Sequence, residues 1–205
     1  MTTLADWLQR SPLVAILRGV KPTEVLAIGQ ALVDAGIRII EVPLNSPQPE
    51  VSIAALAQTY GERVLVGAGT VLDQASVDRV AQAGGKLIVM PHADPVVVRA
   101  ARQAGLIAIP GFATPTEAFA ALAAGADGLK LFPAEAFQPS ILKAFAAVLP
   151  KGVKMLPVGG MDATTIPAWR AAGAAGFGIG SAIYRPGDTA EVVAAKALGL
   201  LAALD

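Results

Sequence analysis

The chain has no cysteine and one histidine, His92. Without cysteine there is no disulfide framework, no thiol nucleophile and no thiolate-bound metal. A lone histidine excludes a zinc-hydrolase cluster within one chain and disfavours a metal-dependent lyase. Neither sign of charge prevails: 16 basic residues face 16 acidic ones over 205 residues. A global positive field for nucleic acid or an anionic membrane is therefore absent. Mean hydropathy is high, +0.58. Even so, the longest charge-free windows, Gln103–Thr116 and Ala171–Tyr184, fall short of the ~20 residues a spanning helix needs. Met1–Arg10 carries Asp6 and lacks the basic start and apolar core of a signal peptide. These exclusions point to a cytoplasmic protein with neither a membrane nor a nucleic-acid partner.

The hydrophobicity instead suits strands buried on both faces, as parallel sheets require. After an amphipathic helix at residues 3–10, with Leu4, Trp7 and Leu8 on one side, eight apolar runs recur. They are Leu13–Gly19, Ile39–Leu44, Val64–Thr70, Leu87–Pro91, Ile107–Gly111, Gly128–Pro133, Lys154–Gly160 and Gly176–Tyr184. Helix-start signals separate them: Pro22 in a first turn, Asp73, Asp94-Pro95, Thr114-Pro115-Thr116-Glu117, Gln138-Pro139 and Asp162. Ala-Gly stops follow at Gly36, Gly84, Gly105, Gly125 and Gly173. Strand and helix alternate at the βα length of a closed (β/α)₈ barrel, and no linker divides the chain. The prediction is a single TIM-barrel domain over residues 1–205 with a short N-terminal helix. An open doubly wound sheet is the alternative, but Leu17–Pro22 lacks the dinucleotide fingerprint.

Active sites in barrels lie at the C-terminal ends of the strands. Strand alternation turns Glu41 inward with Ile39 and Pro43, and Lys130 inward with Gly128 and Phe132. Arg18 follows Val14 and Ile16 inward, and Thr70 ends its strand behind Val66 and Ala68. Lys130 alone among the lysines lies inside an apolar strand. Such a lysine is either paired with a core carboxylate or held neutral enough to attack a carbonyl. Gly159-Gly160 and Gly180-Ser181 end the seventh and eighth strands, where barrels build phosphate sites from backbone N–H groups. His92 reads as a loop residue, and Arg185 as either a phosphate screen or a surface residue. Phe112, Phe132 and Phe137 read as pocket walls; Trp7 and Trp169 read as packing residues.

Together, Arg18-Gly19, Ile40–Pro47, Gly67–Leu72, Leu129–Pro133 and Val158–Gly160 resemble the 2-keto-3-deoxy-6-phosphosugar acid aldolases over essentially the whole chain. The resemblance implies a class I, Schiff-base aldolase on a (β/α)₈ barrel, commonly a homotrimer, needing no metal or organic cofactor. By the same resemblance Lys130 is the Schiff-base lysine, Glu41 the proton shuttle, and Arg18 and Thr70 the pyruvate carboxylate contacts. Gly159, Gly160, Gly180 and Ser181 are the phosphate loops. The substrate implied is a phosphorylated keto-deoxy sugar acid, and the products are pyruvate and glyceraldehyde 3-phosphate.

The gluconate branch of that family carries L-R-T after the glutamate strand and P-T-G-G at the seventh. Here stand Leu44-Asn45-Ser46-Pro47 and Pro157-Val158-Gly159-Gly160, which resemble the galactonate branch. The two substrates are epimers at C4, so Val158 in place of a threonine is expected to alter how that hydroxyl is read. The arginine lost after Leu44 leaves Arg18 as the main carboxylate anchor. The rivals are the same cleavage of the gluconate epimer or of 4-hydroxy-2-oxoglutarate, a phosphosugar isomerase or epimerase on the same barrel, and a non-catalytic ligand sensor.

Overall fold

The computed structural model describes residues 2–204. Thr3 and Asp6 form a reciprocal capping box that starts α1 (Leu4–Arg10). Among the described residues nine short parallel strands follow: β1 (Leu13–Ile16), β2 (Ile39–Pro43), β3 (Leu65–Gly69), β4 (Leu87–Val89), β5 (Ile107–Ile109), β6 (Gly111–Phe112), β7 (Leu129–Leu131), β8 (Met155–Pro157) and β9 (Phe177–Ile179). The helices between and after them are α2 (Val25–Ala35), α3 (Pro49–Tyr60), α4 (Gln74–Gln82), α5 (Pro95–Gln103), α6 (Pro115–Ala123), α7 (Ile141–Ala146), α8 (Ile166–Ala171) and α9 (Ala190–Ala202). Among the described residues, no helix is long and apolar enough to cross a membrane.

The strands form a curled six-stranded sheet, β5-β4-β3-β2-β1-β9, and a three-stranded sheet, β6-β7-β8. The single run predicted at Ile107–Gly111 is thus split between two sheets at Pro110. Proline has no N–H to give the ladder, but its carbonyl still accepts a 2.8 Å bond from Lys130 N–H. On the other flank, β8 and β9 touch through one parallel bridge, Val158 to Gly178. Ala175 N–H also donates to the Met155 carbonyl at 2.9 Å.

Two apolar clusters follow from strand alternation. Ile40, Val42, Val66, Ala68, Ile88, Leu129 and Leu131 pack outward on the helices. Val14, Ile39, Leu65, Leu87, Ile107 and Leu156 point inward and meet Leu4, Trp7 and Leu8 of α1. Helix α1 therefore packs as a plug against the inner face. The chain makes room for it with glycine: a Cβ at Gly128 would press on Leu4, and one at Gly176 on Leu8.

Several predicted boundaries move. Helices α4, α5 and α6 open where expected, on Asp73, Asp94 and Thr114. Helix α2 begins only at Val25, past Pro22, and α7 begins at Ile141, past Pro139. Asp162 gives its carboxylate to the N–H groups of Thr164 and Thr165, so it closes a turn four residues ahead of α8. The five Ala-Gly stops hold, with every one of those glycines left-handed. The first strand run ends at Ile16 instead of Gly19. The last ends at Ile179, because the chain turns on the Gly180 carbonyl, which accepts from Ile183 and Tyr184.

Candidate active site

Lys130 sits mid-strand in β7, 7% exposed, and Glu41 sits mid-strand in β2, 2% exposed. Both point to the inner face at its C-terminal end. Burial pushes the Lys130 ammonium below the ordinary lysine range; Glu41 opposes this shift and Arg18 adds to it. Burial also pushes Glu41 up to about 7, against the pull of Lys130 and Arg18. Two charges in one dry space would normally close into a pair. Among the described residues the ion pairs are Arg79–Glu50, Arg102–Asp127 and Lys196–Asp188, and none involves this couple. The Lys130 Nζ instead lies 4.7 Å from the Phe132 ring centroid, and Glu41 Oε2 has no hydrogen-bond partner. The pair couples through space, and neither member lines the cavity at the rim.

Arg18 lies just beyond β1 and is exposed at the mouth, not inside it. Its Nη1 donates to Asn45 Oδ1 at 2.8 Å, while Gly19 N–H donates to the Ser46 hydroxyl at 2.9 Å. Asn45 and Ser46 therefore act on the loop that carries Arg18. The sequence marked this dipeptide as unusual but gave no sign of its partners, 27 residues away. Thr70 departs from its expected position. On β3 the inward set is Leu65, Gly67 and Gly69, with Val66 and Ala68 outward. Thr70 leaves the strand in the left-handed region, φ 57°.

A cavity of about 360 Å³ opens at this rim. Arg18, Val158, Gly159, Gly160, Gly180 and Ser181 all line it, as does Phe132, whose ring joins it to Lys130. Gly159 and Gly160 are left-handed, at φ 104° and 67°; a Cβ on Gly160 would crowd Glu135, and one on Gly159 would just touch Ala134 and the Glu135 carboxylate. Arg185 also lines the cavity, its Nε donating to the Ser181 carbonyl at 3.2 Å. Ile16, Met161 and Glu135 join the lining without having been singled out from sequence. Two expected walls do not. Phe112 packs edge-to-face on Phe145 at 5.0 Å, and Phe137 packs on the outer core. His92 follows β4 away from the cavity, its carbonyl accepting from Gly111 N–H.

A cool amine and a warm carboxylate held apart in a dry site suit proton transfer around an imine. A carbon–carbon lyase that works through an imine requires such a pair. The chain belongs to the family described as "Aldolase: KDPG and KHG aldolase", whose model matches residues 4–194. It is 47% identical over 198 residues to the 2-dehydro-3-deoxy-6-phosphogalactonate aldolase of Escherichia coli (strain K12), covering 97% of each chain. A solved structure described as "Native KDPGal structure" superposes with TM-score 0.92 at 47% identity, over 94% of this chain and 93% of that one. The KDPG aldolase of Legionella pneumophila, solved with pyruvate as a covalent carbinolamine intermediate, gives TM-score 0.85 at 26% identity, over 96% and 97%.

Proposed function

We propose that the chain is a class I aldolase that cleaves 2-dehydro-3-deoxy-6-phosphogalactonate to pyruvate and D-glyceraldehyde 3-phosphate. The observation that carries this reading is the buried, unpaired Lys130–Glu41 couple at the mouth of the sheet. At its reference pKa of about 10.4, a lysine is under ~0.1% neutral at pH 7, so burial supplies much of the activation. Neutral Lys130 attacks the C2 ketone, and Glu41 helps expel water from the carbinolamine to leave an iminium. Ionised Glu41 then takes the C4 hydroxyl proton. The C3–C4 bond breaks, its electrons pass into the iminium, and the aldehyde leaves. Protonated Glu41 returns a proton to C3 of the enamine, and hydrolysis of the imine frees pyruvate and Lys130. A carboxyl titrating near pH 7 serves both directions of transfer.

Arg18 anchors the substrate carboxylate, with Thr70 as a second contact. The backbone of Gly159, Gly160, Gly180 and Ser181 receives the phosphate. Val158, buried beside Gly178, is the apolar wall toward C4. The two sheets count as one closed (β/α)₈ barrel, a reading supported by the bonds at Pro110 and at Val158–Gly178. A cytoplasmic homotrimer completes the proposal.

The test is pyruvate release, coupled to lactate dehydrogenase, from the galactonate and gluconate epimers side by side. A preference in kcat/KM for the galactonate compound is expected, and a gluconate preference overturns the assignment.

A further inference from the structure

Gly69 ends β3 on its inward face, and its side-chain position is already taken. A methyl group built there would coincide with the Glu41 carboxylate, whose Oε2, Cδ and Oε1 are the three nearest atoms. Neither backbone is free to yield. The Gly69 carbonyl accepts Leu44 N–H at 2.9 Å, and the Glu41 carbonyl accepts Leu17 N–H at 2.9 Å. Both residues also lie in the β2–β3 ladder. Glu41 Oε2, seated over this glycine, has no hydrogen-bond partner to hold it. Among the described residues no group hydrogen-bonds it, and Lys130 and Arg18 act on it only through space, so the fit over Gly69 is the contact that places it.

We propose that Gly69 is a positioning residue of the reaction: its absent side chain is the socket that holds the Glu41 carboxylate where it exchanges protons with the imine on Lys130. The proposal rests on the reading of Glu41 as proton carrier. Gly67, two residues earlier, is the natural control. A Cβ there would strike the Leu87 backbone carbonyl, so its need for glycine is independent of Glu41.

Two readouts separate a socket from an ordinary structural glycine. The first is a thermal cycle with Gly69→Ala and Gly67→Ala, each made in the parent and in Glu41→Ala. Gly69→Ala is expected to lower Tm by at least about 4 °C in the parent and to cost nothing in Glu41→Ala. Gly67→Ala is expected to cost the same in both. The second is solvent deuterium exchange into the pyruvate methyl group, followed by NMR, beside borohydride trapping of pyruvate on Lys130. Gly69→Ala is expected to slow exchange about 100-fold or more while trapping on Lys130 persists.

An equal Tm cost in both backgrounds, or exchange within about threefold of the parent, overturns the proposal. Where Gly69→Ala alone does not fold, Gly69→Ala/Glu41→Ala must, and its failure also overturns it. A parent that does not exchange pyruvate protons removes Glu41 from the chemistry and the catalytic half of the proposal with it. The thermal cycle reports on the socket regardless.

Discussion

Glu41 is costly where it stands. Its pKa rises from 4.5 to about 7 on burial, so the folded chain binds its proton more tightly than the unfolded chain does. The associated stability is full below pH 4.5 and is lost as pH rises toward 7, a loss on the order of 3 kcal/mol. Glu41→Gln keeps the shape and removes the titration. It is expected to raise Tm above the parent at pH 8, to leave it level at pH 4.5, and to lower kcat by roughly 10²- to 10⁴-fold. Lys130 has the opposite sign: its lowered pKa adds stability as pH rises from that value toward 10.5. Arg18 holds both pKa values down, so Arg18→Gln moves the acid limb of kcat/KM to higher pH. Salt should move the parent's limb the same way by screening this exposed charge. If Arg18 also anchors the carboxylate, KM for pyruvate in methyl exchange rises by roughly 10- to 100-fold. An unmoved limb and an unchanged KM would remove Arg18 from the site.

At the scale of elements, the first βα loop is held from both sides. Asn45 and Ser46 bind it from the loop after β2. From beyond β9, the Tyr184 hydroxyl donates to Glu24 at 2.8 Å. Asn45→Ala frees Arg18 without removing its charge, so KM for pyruvate is expected to rise less than in Arg18→Gln, with kcat nearly kept. The α1 plug is separable from chemistry. Trp7→Ala should cost about 3–5 kcal/mol in denaturant unfolding while kcat stays near the parent value. A proportionate fall in kcat would show that the plug also shapes the site.

These elements also show what the sequence could and could not reveal. Period-two alternation placed Glu41 and Lys130 on the inner face, since a one-residue error would bury the wrong face of each strand. It misjudged β3 by one residue, turning Val66, Ala68 and Thr70 inward, because the true inward set after Leu65 is Gly67 and Gly69, which carry no side chain to mark a face; Thr70 then leaves the strand left-handed. Glycine spacing marked two loops, Gly159-Gly160 and Gly180-Ser181, that line one cavity, but not Glu135 beside them, which comes from the turn after β7. Helix starts were legible where Asp or Thr caps the first turn directly, and were early where a proline-containing turn comes first.

At the scale of the molecule, exposed large apolar side chains are spread from α2 to α9, and three of them belong to the successive units after β3, β4 and β6. Leu72, Val96 and Phe119 follow β3, β4 and β6 and are 53%, 53% and 46% exposed. A trimer that covers them is expected to sediment as three copies, and Phe119→Glu to shift it toward monomer. A monomeric parent would contradict the assembly.

An imine on Lys130 is the step on which the rest of the proposed reaction depends. It is tested most directly by adding borohydride to the protein with pyruvate, then mapping peptides by mass. One reduced pyruvate per chain is expected, located at Lys130 and absent in Lys130→Ala. No adduct, or an adduct on a different lysine, would contradict it.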